Sequence, residues 1–231
     1  MIRFQEAHEP KSASEIISQV ELQDEKGVSP DQQKEAVAFW NDVFSRRECA
    51  YLPDTVDYEG LLCDVFGRDE SEFTFDFEIT RLSEIINKFK SDAWAAMPEN
   101  ERINVIQEFV KSLSNQLGLE HMPALEFYAG DAGSYGAYSP VNQSISINTR
   151  YFDDPKELVN TLAHEVRHAY QHQRAEMPET REDWLYKCNF DNYVSPQELP
   201  NGAYLFFTDY QDQYVEAEAR AFAGLFDREM S

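Results

Sequence analysis

Cysteine is scarce in this 231-residue chain: there are three, Cys49, Cys63 and Cys188, an odd number with no CxxC spacing. That excludes a disulfide framework and a thiolate zinc site. Glycine and proline are also few, at 9 and 10 residues. With 42% hydrophobic residues, this excludes collagen-like, low-complexity and disordered chains and predicts a folded protein. Long apolar runs are missing. The longest, Ala36 to Trp40 and Ala203 to Phe207, are five residues each, against the roughly 20 needed to cross a bilayer. The start, Met1-Ile2-Arg3-Phe4-Gln5-Glu6, lacks the basic segment, apolar stretch and cleavage site of a secretory signal. Cytoplasmic residence is the expectation, with export by a route lacking a cleavable signal as the alternative. The remaining shortage is positive charge: 20 Lys and Arg stand against 43 Asp and Glu, a formal charge of −23. Such a surface repels phosphate backbones and anionic lipid, so neither nucleic acid nor a membrane is an expected partner. Acid is densest between Asp54 and Thr80, where nine carboxylates accompany only Arg68. The expectation there is a solvated face, with docking of a basic protein as the alternative.

Local patterns place the elements. Ser29-Pro30 opens a helix through Phe44, and another is expected around Ser14 to Leu22. Phe73 to Ile79 alternates apolar and polar residues, which predicts a half-buried strand. Helical spacing returns over Arg81 to Lys90 and Pro98 to Leu117, with Gly118 as a stop. Short strands are predicted at Pro123 to Tyr128 and Gln143 to Asn148, on either side of a glycine-rich turn from Gly130 to Gly136. Asp154-Pro155-Lys156-Glu157 then opens a helix expected to reach about Arg174, with Leu158, Leu162, Val166 and Ala169 on its buried side. The pattern implies an α+β protein, divided into a helical accessory region of unknown role (1–120) and a core (121–231).

Within the last helix lies His164-Glu165-Val166-Arg167-His168. Histidines at i and i+4 share one helix face a turn apart, so both imidazoles can reach one metal ion, with Glu165 beside them. A carboxylate-bridged di-iron bundle would need a second ExxH, and the chain has none. A catalytic zinc needs a third protein ligand and an open position. His172 is eight residues from His164, about 12 Å along the axis, so the third ligand must come from elsewhere. The later helical segment Tyr214 to Ala223 is rich in small residues and carries Glu216 and Glu218.

That segment resembles one in a known group. Glu216-Ala217-Glu218-Ala219-Arg220-Ala221-Phe222-Ala223 is similar to the ExxA-x-x-FA stretch of zincin-like metallopeptidases of the gluzincin type, in which HExxH is completed by a Glu on a later helix. The likeness is to the short bacterial ImmA/IrrE-like and phage- or toxin-associated members, and it covers about residues 120–230. It implies a small mixed sheet packed on the HExxH helix, Zn²⁺ as cofactor, and His164, His168 and Glu216 as ligands, with Glu218 as fallback. It further implies a zinc-dependent endopeptidase, with Glu165 as general base for a metal-activated water. Relatives often carry Asp or Asn four residues after the ligand Glu, where this chain has Arg220; Asp212 is a possible replacement.

A developing oxyanion also needs a donor. Tyr210, Tyr214, His172 and Arg220 compete for that role, and Tyr210 is favoured as the second catalytic residue. An extended polypeptide is the expected substrate, added to the strand Ser144 to Asn148 as the sheet edge. Trp184, Phe190, Tyr193 and Phe206 could wall a cleft or belong to a satellite core. Two other functions remain open: a non-catalytic zincin-derived binding module, and an acidic protein that captures a basic partner. Oligomeric state and substrate identity are not legible.

Overall fold

The computed structural model describes residues 56–130, 134–198 and 204–230. The helices expected at 14–22 and 30–44 lie outside them. The chain divides into two compact units, Asp57–Gln197 with Phe206–Ser231, and Met1–Val56 with Glu198–Leu205. Everything below concerns the first. It is mixed α+β, mostly helical with a small three-stranded mixed sheet. No helix among the described residues is long and apolar enough to cross a membrane.

Among the described residues four α-helices precede the sheet: α1 (Tyr58–Asp64), α2 (Ser83–Phe89), α3 (Ser91–Ala96) and α4 (Glu99–Leu117). Helix α4 turns Val105, Ile106, Phe109, Val110 and Leu113 inward, the spacing of one apolar face. It stops where expected. Gly118 takes φ 75°, and the amides of Gly118 and Leu119 return to the carbonyls of Asn115 and Ser114, closing the helix by a left-handed cap that favours glycine. The sheet follows: β1 (Ala124–Tyr128), β2 (Gly136–Ser139) and β3 (Ser144–Asn148), in the order β1-β3-β2. Strand β3 is parallel to β1 and antiparallel to β2, and Ile145 and Ile147 are fully buried. Next come α5 (Pro155–Glu176), α6 (Arg181–Asp191), the two-residue strands β4 (Gln197–Glu198) and β5 (Tyr204–Leu205), α7 (Phe207–Gln211) and α8 (Tyr214–Asp227).

Helix α5 starts as predicted, with Asp154 accepting from the Glu157 amide and Pro155 in the first turn. It is buried on more than one face: Leu158, Val159, Leu162, Ala163 and Val166 join the main core, while Glu165, Arg167, His168 and Gln171 are polar yet buried. Burial of that many polar groups requires partners for each. Helix α8 packs most extensively on α5, and Ala217, Ala219 and Ala223, all fully buried, let the two backbones approach closely.

Two expectations are corrected. Phe73 to Ile79 alternates half-buried and exposed residue by residue, yet it joins no sheet, and Ile79 already opens a 3-10 turn through Leu82. Its apolar side meets a helix instead: Phe75 and Phe77 pack edge-on against Phe222 of α8 at 5.3 and 5.0 Å. Period-2 burial needs only an apolar surface on one side, which a helix supplies as well as a strand does. The second concerns Gly136, read as the end of a turn, which begins β2.

One cluster gathers Ile86, Phe89, Phe109 and Leu113 with Ile145, Leu162, Phe222 and Phe226. Residues on both sides of position 120 therefore share a core. The acidic stretch is also less bare than its sequence implies. Asp64 pairs with Arg68 and Arg181, Glu70 with Arg220, and Glu78 with Arg81. Such exposed pairs contribute about 0–1 kcal/mol each. Two of the four arginines come from more than a hundred residues away along the chain.

Candidate metal centre

The centre is built where α5 crosses the first turn of α8. One helical turn separates His164 from His168, so their rings meet edge to face at 4.5 Å, with the two Nε2 atoms 2.9 Å apart. Glu216 enters from α8. Its Oε2 lies 3.4 Å from His164 Nε2, and its Oε1 lies 3.4 Å from His168 Nε2. The three donor atoms fall within 4.8 Å of one another. All three predicted ligands are thus brought together.

The donor set suits a zinc ion. Tetrahedral coordination at about 2.0–2.1 Å separates neighbouring donors by about 3.3 Å, close to the spacings seen. Glu216 is 1% exposed, and its Oε2 is buried without a hydrogen bond. A buried carboxylate oxygen left over in this way is costly unless a cation faces it. His164 keeps some exposure, so the cluster has a wet side.

Electrostatics bind the cluster as an ion pair. Burial pushes the His168 imidazole down, but the Glu216 carboxylate against it overrides that and brings its pKa up to about 9. Burial opposes ionisation of Glu216, and the two histidines hold it well below the usual carboxylate range. Tyr193 donates its hydroxyl to Glu216 Oε1 at 2.5 Å. Tyr210 also lies against this carboxylate, and burial together with Glu216 raises its phenol. Tyr193 was foreseen only as a cleft wall or part of a satellite core, since a lone tyrosine in an aromatic-rich stretch announces no partner.

Glu165 sits beside the cluster, 8% exposed, its Oε2 accepting from the Tyr138 amide of β2 at 2.7 Å. This contact corrects the expected substrate edge. Strand β3, Ser144 to Asn148, is central and paired on both sides; the edge beside the motif helix is β2. The error follows from missing β2, without which β3 would have stood outermost.

Of the other candidates, Glu218, the fallback ligand, pairs with Arg167 and accepts from Gln171 and is not part of the group that His164 and His168 form with Glu216. His172 stacks on Phe190 at 3.6 Å beside Tyr138, and burial, helped by the nearby His168, brings its pKa down to about 4. Tyr214 packs on Phe73 and Tyr186. Arg220 pairs with Glu70 and caps the Gln211 carbonyl. Among the four donors considered for an oxyanion, Tyr210 alone lies against a member of the cluster. The partner of His168 Nδ1 is Gln171, at 2.8 Å, in the place anticipated for Asp212.

No family model matches the chain, and no curated protein and no solved structure matches it.

Proposed function

We propose that this protein is a zinc-dependent endopeptidase of the zincin type, with His164, His168 and Glu216 as ligands and Glu165 as general base. One observation carries the proposal: two imidazole nitrogens and a buried carboxylate converge within 4.8 Å, next to a carboxylate that has no part in the cluster. A purely structural site would have no use for Glu165.

Zinc held there would supply Lewis acidity and a water of near-neutral pKa. Glu165 receives the proton of the attacking water and delivers it to the leaving amine nitrogen. The Tyr138 amide holds its Oε2, leaving Oε1 to turn toward the cluster. Tyr210 donates to the oxygen on which charge develops. Tyr193 restrains Glu216. An extended peptide adds to the free edge of β2, where the Tyr138 carbonyl points the same way as its amide. His172 and Phe190 then flank the bound chain.

Metal analysis and a peptide-library assay of wild type and Glu165→Gln test this. Glutamine keeps an acceptor for the Tyr138 amide but cannot take a proton. The expected outcome is zinc retained at one per chain, with kcat reduced about 10²–10⁴-fold. A wild type that takes up zinc and cleaves nothing would favour the binding module. Stoichiometric uptake failing altogether would sink both readings.

A further inference from the structure

Behind the cluster, on the side away from solvent, lies a polar network that the proposed mechanism does not use. Gln171, 0% exposed, is one turn beyond His168 on α5. Its Oε1 faces His168 Nδ1 at 2.8 Å. Its Nε2 donates to the Val215 carbonyl at 2.9 Å and to Glu218 Oε2. Glu218, also 0% exposed, is gripped by Arg167 through Nε and the terminal guanidinium nitrogen, and accepts from the Tyr186 hydroxyl at 3.1 Å. Arg167 in turn lies over the rings of Tyr170 and Phe222 at 4.3 and 5.1 Å.

These partners determine which way the Gln171 amide points. Both groups at its Nε2 are acceptors: a backbone carbonyl and a carboxylate paired with Arg167. Turning the amide over would set Oε1 against two acceptors, leaving buried groups unpaired at about 1–3 kcal/mol each. Oε1 therefore faces the imidazole, and an amide oxygen can only accept. His168 must carry a hydrogen on Nδ1 in either charge state, so the proton lost when the ring becomes neutral is the one on Nε2, which faces His164 Nε2 and Glu216.

We infer that Gln171, locked by the Arg167–Glu218 ion pair, is the positioning residue that fixes the tautomer and orientation of His168 as a metal ligand. The inference rests on the proposed metal site. It gives Arg167 and Glu218 a shared purpose: they hold the residue that holds the ligand. The order of partners, Arg167 to Glu218 to Gln171 to His168, runs from a buried cation to the cluster and ties α8 to α5 at the same point.

The experiment is a titration of chelator-stripped protein with Co²⁺ and Zn²⁺, together with long-range proton–nitrogen spectra of the zinc-loaded histidines. In wild type the His168 Nδ1 proton should be visible, shifted downfield and slow to exchange. Gln171→Met, close in size but without acceptor or donors, should bind zinc about 10–100-fold more weakly and lose that signal to exchange. A charge-preserving exchange is the second arm, which guards against poor folding of Gln171→Met. Glu218→Gln alone should weaken binding. The double variant Gln171→Glu with Glu218→Gln restores an acceptor for His168 and sets a donor at position 218 against the new carboxylate, while giving up the bond to Val215 and the Arg167 Nε contact to Oε2; it should bind zinc more tightly than Glu218→Gln alone. Wild-type uptake with unchanged affinity and an unchanged Nδ1 signal in Gln171→Met would overturn the inference while leaving the metal site standing. A double variant no better than its parents would overturn it too. Failure of wild type to bind either metal would overturn the site itself, and the inference with it.

Discussion

His168 is a buried imidazole that without metal is stabilised as a cation, and this sets a measurable pH dependence. Its pKa rises from 6.5 to about 9 on folding because Glu216 outweighs its burial, so the contribution is complete below pH 6.5 and lost as pH climbs through about 9. Glu216 has the opposite sign: its pKa falls from 4.5, so its contribution is present above pH 4.5 and lost on acidification. Both describe one ion pair, whereas His172, brought down from 6.5 to about 4 by burial, loses stability as pH falls below 6.5; chelator-stripped protein should therefore be most stable near pH 6.5 and lose up to about 3 kcal/mol toward pH 9. Zinc needs His168 unprotonated at Nε2. Saturating zinc should therefore flatten the alkaline fall, and denaturant melts across pH with and without zinc will show it. Tyr210 invites a narrower test. Replacement by Phe keeps the ring and removes the hydroxyl; kcat on a cleaved peptide should drop about 10²-fold with KM and zinc content near wild type. At this scale the sequence was informative wherever a spacing carried the chemistry, as for His164, Glu165 and His168. Gln171 and Tyr193 were not legible because neither their type nor their spacing differs from countless glutamines and tyrosines that hold nothing.

Strand β2 shows how an element positions a side chain, Glu165, through its backbone. Gly136 begins it, and a Cβ there would stand 2.8 Å from the Ser146 carbonyl oxygen, 2.9 Å from Ile147 Cδ1 and 3.1 Å from Thr161 Cγ2. The first of these is backbone of the neighbouring strand and the last belongs to α5. Alanine can be accommodated only if β2 moves away from both. Gly136→Ala should cost about 1–3 kcal/mol. Because Tyr138, two residues on, presents its amide to Glu165, peptide cleavage should fall as well. Thermal melts and cleavage assays below the melting range will separate the two effects, and full activity in a destabilised variant would show that the Tyr138 contact is dispensable. Helices α2, α4, α5 and α8 were readable from periodicity and caps, since both are local, whereas α1, α3, α6 and α7 were not foreseen. β2 was not, because four residues beginning with glycine and containing no β-branched side chain offer no strand signal, and its existence depends on β3 pairing with it.

Across the whole molecule, the formal charge of −23 acts on folding and on substrate encounter with opposite sign. Part of the acid is locally neutralised, by Arg68 one turn away and by Arg181 and Arg220 drawn in from distant parts of the chain, an arrangement that only the fold reveals. The excess still repels itself, and that repulsion weakens as added salt shortens the Debye length from about 30 Å at 0.01 M to about 8 Å at 0.15 M. Stability should accordingly rise over this range. A basic peptide is attracted by the same field, so its kcat/KM should fall over the same range while that of an acidic peptide of equal length rises. The two measurements share one cause and can be made on one preparation. If stability rises but the basic and acidic peptides respond alike, the charge governs solubility and folding alone, and selection of substrate must lie in the contacts along β2.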